Sequence, residues 1–284
     1  MLQAKTTNDK TLKPMKRILL TITALIAVIS ASAAQPTSAA LSPISTPNAS
    51  DDTSESIWEF WWGAGCNVAT NYMWRGYDQS YRGGDALMFD PSLQPSVTVG
   101  YGPFYVDVWT NASLISNYKE LDLTLGFEYE NLSVTLYDVY CGNFDTPFFD
   151  DKNHSLTATV DYLFFDRLNL HWATTFLHSA DFLAEGPRAG KRAFASYFEV
   201  AYTQPFEDLL DLTVRAGASP WTAPFWCYER DMVNVAKGFN VTNLSLTLSR
   251  EFEYGGVTLP VELGYIYNPT TRYSYAVLKA GFNF

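Results

Sequence analysis

Past residue 30 this chain has no apolar run approaching the roughly eighteen residues that a membrane-spanning helix needs, so any crossing of a bilayer falls to β-strands. Basic residues are scarce. From Leu41 onward there are 14 Lys+Arg against 29 Asp+Glu, a formal charge of 14 − 29 = −15, which excludes nucleic acid as a partner. Cysteine is limited to Cys66, Cys141 and Cys227, at spacings that offer no metal site. A Cys141–Cys227 bridge suits an oxidising compartment, and three unpaired thiols suit it as well. Histidine is limited to His154, His171 and His178. His178, Ser179 and Asp181 sit close in sequence, but adjacent residues do not make a catalytic triad and no oxyanion donor motif accompanies them, so they read as a polar loop. Neither an enzyme, a cofactor nor a metal is expected.

Aromatic residues, by contrast, make up 16% of a chain that is otherwise acidic. Two girdles at the interfaces of a membrane would account for such a load. The amino-terminal region reads as a secretory signal: Met15-Lys16-Arg17, then the mostly apolar Ile18–Ser30, then Ala31-Ser32-Ala33 as a cleavage site. The polar residues before Met15 read as an upstream extension. The expected organisation is therefore an extension plus signal peptide over 1–34, a disordered periplasmic lead-in rich in Pro, Ser and Thr over 35–57, and one β-domain over 58–284.

Within that domain, segments of about ten residues alternate in polarity and are bounded by turn residues. Twelve are predicted, near 62–75, 91–101, 103–113, 119–129, 132–141, 155–163, 167–178, 193–203, 209–219, 240–250, 257–267 and 273–284. The fourth sets Leu121, Leu123, Leu125, Phe127 and Tyr129 against Asp122, Thr124, Gly126 and Glu128. The last sets Ala276, Leu278, Ala280, Phe282 and Phe284 against Tyr275, Val277, Lys279, Gly281 and Asn283. Connections alternate between short and mostly longer. Short turns on one side, long loops on the other and an even strand count predict an all-β fold: an antiparallel transmembrane β-barrel of twelve strands with both termini periplasmic. A soluble barrel explains poorly the strand number and the aromatics near so many strand ends.

Two segments resemble a known family. Asn71-Tyr72-Met73-Trp74-Arg75-Gly76-Tyr77-Asp78-Gln79-Ser80 is similar to the first strand and loop of the TorF family of outer-membrane porins: an aromatic, an apolar pair, Arg-Gly, and a short polar run with Gln-Ser. Leu259-Pro260-Val261-Glu262-Leu263-Gly264-Tyr265-Ile266-Tyr267-Asn268-Pro269 resembles its penultimate strand. The resemblance covers the two ends of the domain and implies a porin-like protein with no named solute.

Twelve strands fall between barrels filled by side chains and barrels with an aqueous channel, so a narrow lumen is expected. Its lining is expected to include Arg75, Asp107, Asp122, Glu128, Asp161, His171, Glu199, Asp211, Arg215, Glu262 and Lys279. Arg75 reads equally as a constriction at the outer mouth or as a cap on the first strand. Antiparallel pairing across a turn between Thr203 and Leu209 is expected to bring Glu199 opposite Arg215, and pairing Asn268 with Tyr273 to bring Glu262 opposite Lys279. The remaining acids then favour cations. The functional expectation is a passive diffusion channel for ions or small solutes in the outer membrane of a Gram-negative bacterium. A non-conducting barrel that displays its loops is the alternative, and a lipid-modifying enzyme a weaker one. Expected partners are outer-membrane lipid, the permeating solutes and the barrel-assembly machinery, with Phe282 and Phe284 as the assembly signal. The aromatic segment 220–228 is expected to pack across the barrel mouth rather than to contact sugars.

Overall fold

The computed structural model describes residues 57–79, 89–116, 118–141, 153–207 and 209–284. The expected signal peptide, nearly all of the expected lead-in, and residues 80–88, 117, 142–152 and 208 lie outside the described residues. Twelve antiparallel strands close into a barrel. They are β1 (Phe60–Ala69), β2 (Ser92–Tyr101), β3 (Phe104–Ser113), β4 (Lys119–Tyr129), β5 (Leu132–Cys141), β6 (His154–Phe164), β7 (Leu168–Leu177), β8 (Ser196–Phe206), β9 (Leu210–Ser219), β10 (Asn240–Tyr254), β11 (Val257–Asn268) and β12 (Tyr273–Asn283). Each pairs with its sequence neighbours, and β12 returns to β1. At that seam the Phe284 amide donates to Ala64 O at 2.8 Å, so no edge is left unpaired.

The alternation decides which face is which. Along β4 and β10, Leu123, Leu125, Leu244, Leu246 and Leu248 are exposed, while Glu120, Asp122, Asn243 and Ser245 are buried. This is the inverse of a soluble barrel. The buried face is polar, and the exposed one is a continuous apolar belt that only hydrocarbon would cover. Exposed Phe60, Trp62, Tyr101, Phe104, Tyr129, Tyr162, Phe206 and Tyr254 ring the belt at the end of the short turns. Trp172, Phe176, Phe194, Trp221 and Phe239 lie toward the other end.

The girdles do not take the whole aromatic load. Tyr105, Trp109, Tyr197 and Trp226 are buried inside the barrel. Three strand boundaries also differ from the sequence expectation. β1 stops at Ala69 because residues 70–79 turn inward. β8 begins at Ser196 and runs through Phe206. The backbone amides of Phe194 and Ala195 are held off the ladder by the Asp181 carboxylate, at 3.0 and 3.3 Å. β10 runs on to Tyr254 because Gly255 and Gly256, at φ 61° and 83°, close a two-residue hairpin turn of the kind that matches strand twist.

Two segments fold into the end opposite the short turns. Asn71–Gln79 forms a small hairpin, pairing Met73 with Asp78 and Trp74 with Tyr77. Gly76 at its tip has φ 84°, and a Cβ there would lie 1.9 Å from Thr242 O on β10. Only glycine fits that approach. Asn268 Nδ2 donates to Gly76 O at 3.1 Å from β11. The loop between β9 and β10 then packs Phe225, Trp226 and Cys227 onto Tyr77, Tyr197 and Ala173, an apolar core of the barrel's own making.

Candidate functional site

Beneath that core the lumen retains a cavity of about 300 Å³. Of the expected lining residues, Arg75, Asp107, Asp122, Asp161, His171, Arg215, Glu262 and Lys279 surround it. Glu199, Glu128 and Asp211 are on inward positions of their strands but outside this cavity, the last two toward the short turns.

Arg75 sits in the hairpin turn with φ 53°, inside the barrel, and so does not cap β1. Its guanidinium lies 4.2 Å from the Trp74 ring centroid, 5.0 Å from Trp226 and 5.1 Å from Tyr197. Three aromatic faces around one cation hold it electrostatically in place of water.

The two ion pairs differ in register. Asn268 pairs with Tyr273 and Glu262 stands directly opposite Lys279, with Nζ to Oε1 at 3.0 Å. Glu199 does not stand opposite Arg215. Because Gln204 and Pro205 remain in the ladder, Thr203 pairs with Thr213, Glu199 with Gly217 and Arg215 with Ala201. The two charges meet on the diagonal instead, Nε to Oε1 at 3.6 Å. Glu199 also accepts from Asn243 Nδ2 at 2.9 Å and from the Tyr197 hydroxyl, and Arg215 donates to Thr247 Oγ1 at 3.0 Å. A third pair was not expected: Asp161 faces His171 across β6 and β7, with Nδ1 at 3.0 Å from both carboxylate oxygens, and also accepts from Asn169.

The opposite wall is built differently. Asp107 accepts from Thr98 Oγ1 at 2.6 Å, and Glu120 from Tyr72 at 2.8 Å and from the Tyr118 hydroxyl. Tyr72 comes from the hairpin segment and lies 5.2 Å, ring to ring, from Trp109. Sequence reasoning named Asp107 and Asp122 but passed over Glu120, Trp109, Tyr72 and Tyr197. Glu120 shares the polar face with Asp122 and was legible by alternation. The aromatics were not, because period-2 reading allots aromatic rings to lipid as readily as to a lumen.

Outside the lumen, His178 stacks on Phe225 at 4.2 Å while Asp181 clamps the Phe194 and Ala195 amides. Each is occupied separately, as a loop requires and a triad would not allow. None of the three cysteines forms a disulfide among the described residues: Cys227 lies against the Tyr77 hydroxyl, Cys141 against Glu120. Two contacts between oppositely charging groups lie outside the lumen among the described residues: His154 Nδ1 is 2.7 Å from Asp138 at the loop end of β5 and β6, and Lys237 Nζ is 2.6 Å from Glu185 between two loops.

No family model and no curated protein matches the chain. Among solved structures it is similar to the NanC porin in a rhombohedral crystal form, at 10% identity and a TM-score of 0.46, covering 77% of this chain and 98% of that one. The barrel assignment rests on the strand ladder and the inverted polarity of its faces.

Proposed function

We propose that the protein is a porin-like channel of a bacterial outer membrane, passing small solutes or ions with a mild preference for cations. One observation carries the reading: a polar lumen with unpaired carboxylates inside an apolar belt. Such a belt needs lipid around it, and a water-filled lumen solvates the free oxygens of Asp107 and Asp122 at that depth. Arg215 and Lys279 face Glu199 and Glu262, so the field along the wall of β3 and β4 belongs to the acids. The likeness of Asn71–Ser80 and Leu259–Pro269 to the TorF porins supports the same class. In this orientation the short turns and both chain ends face the periplasm. Deleting Phe284, bonded to Ala64 across the seam, impairs insertion by the assembly machinery far more than deleting Gln35.

A planar-bilayer recording of the purified protein is the test. The expected result is unitary conductance with a cation-selective reversal potential in a salt gradient, shifted toward anions by Asp107→Asn. Anion selectivity, or no shift, overturns the acidic-lumen account.

The filled outer end favours a second reading, a closed barrel that displays its loops. The same recording separates them through the hairpin. Gly76→Val places a side chain against Thr242 O and forces a left-handed backbone on a branched residue, worth at least about 2 kcal/mol against the seated hairpin. If the wild type is silent and Gly76→Val conducts, the hairpin is a plug and the second reading holds.

A further inference from the structure

Three polar atoms on the cavity wall formed by β3 and β4 meet no protein partner among the described residues: Asp107 Oδ2, Asp122 Oδ1 and Trp109 Nε1. Their side chains are deeply buried, at 1%, 8% and 2% exposure, and all three residues line the cavity. They form one patch. Trp109 pairs directly with Asp122 across the two strands, and Asp107 lies two residues along the same face. Facing Cβ atoms on paired strands are roughly 4.5–5.5 Å apart and diagonal ones roughly 7–8 Å, so one small molecule can touch all three.

The surrounding groups are occupied. Asp107 Oδ1 accepts from Thr98, Asp122 shares a hydrogen bond with Glu120, which Tyr72 and Tyr118 also hold, and on the far wall Arg215 and Lys279 lie against Glu199 and Glu262. What the patch still offers is two carboxylate acceptors and one indole donor. In a wet lumen only water competes for these three atoms, so a complementary ligand gains where its bonds are better than the water's, above all charge-assisted ones to the carboxylates. The complement has a cationic donor for the carboxylates and, a few bonds away, an oxygen acceptor for the indole N–H. The Tyr72 ring beside Trp109 adds a π-face suited to an ammonium group.

We infer that this patch is a binding subsite for a small primary amine that also carries hydroxyl groups, an amino sugar being the representative ligand. A neutral sugar lacks the cation and an inorganic cation lacks the acceptor. The inference deepens the channel reading and rests on it for its biological use, but binding is measurable without transport.

The experiment titrates the full chain in detergent with D-glucosamine, D-glucose and N-acetyl-D-glucosamine by calorimetry. Glucosamine should bind at least about tenfold more tightly than either neutral sugar, since its ammonium makes charge-assisted bonds. Asp122→Asn and Asp107→Asn should each weaken glucosamine by about tenfold, Trp109→Phe by less, and Asp211→Asn, an inward acid near the short turns, by nothing measurable. Equal affinity for the three sugars, absence of binding, or an equal loss in Asp211→Asn overturns the subsite. If Asp122→Asn does not fold, the ranking of the sugars on the unaltered chain decides alone. Glucosamine binding without current upholds the subsite and defeats the channel. Current without glucosamine binding does the reverse.

Discussion

The two walls of the lumen handle buried charge in opposite ways. Along β8–β12, Arg215 lies against Glu199 and Lys279 against Glu262. Along β3 and β4, Asp107 is bonded to the Thr98 hydroxyl and Asp122 to another acid, Glu120, and each has one oxygen without a protein partner among the described residues. A buried pair is fixed by its geometry, and breaking it strands the survivor. A lone acid at a wet cavity depends instead on solvent or on a solute. The first wall is therefore architecture and the second carries the proposed subsite, although both are built from the same alternating strands.

The comparison is open to direct attack. The largest effect should come from Glu199→Gln. It leaves the Arg215 guanidinium buried beside a neutral amide and should cost about 3–5 kcal/mol of stability, read from denaturant unfolding in lipid or detergent. Glu262→Gln should cost less, about 1.5–3 kcal/mol, since Lys279 and Glu262 are more accessible than the other pair. Asp107→Asn should change stability by less than about 1 kcal/mol, because the amide oxygen still accepts from Thr98, while it shifts ion selectivity. Were Asp107→Asn to destabilise as much as Glu199→Gln, the distinction between the walls would fail.

The smallest expected effect lies in the loop after β7. Burial pushes the Asp181 carboxyl up to about 6, partly offset by the amides of Ala195 and Phe194 and by Arg192. A folded-state value above the unfolded one means that the seated loop binds the extra proton. Its added stability is present below about pH 4 and is lost as the pH rises through 6. Hydrogen exchange at Ala195, corrected for intrinsic rate, should accordingly be less protected at pH 7.5 than at pH 5. Asp181→Asn should abolish the difference.

Much of this architecture was legible in the sequence, for identifiable reasons. Strand number and facing follow from the period of two, since a one-residue slip puts a charge such as Lys279 into lipid at about 2–4 kcal/mol. The Glu262–Lys279 pairing was legible because the turn from Pro269 to Arg272 leaves one register available. The Glu199–Arg215 register was misjudged by the length of a turn, as Gln204, Pro205 and Phe206 look like loop residues yet stay in the ladder. The hairpin was not legible at all. Its residues continue the alternation of β1, and the contacts that turn it inward come from Thr242, Asn268 and Trp226, far away in sequence. Local pattern carries no record of a neighbour about 170 positions distant.

One feature of the filled mouth makes the protein its own clock. Cys227 is fully buried against Tyr77, and burial pushes its thiol up to about 11, so a maleimide in the medium has neither access nor a thiolate to attack. Any excursion of the hairpin that withdraws Tyr77 uncovers that sulfur. In a Cys66→Ser, Cys141→Ser background, the rate of alkylation on intact cells would then count hairpin departures one by one, in real time and without an electrode.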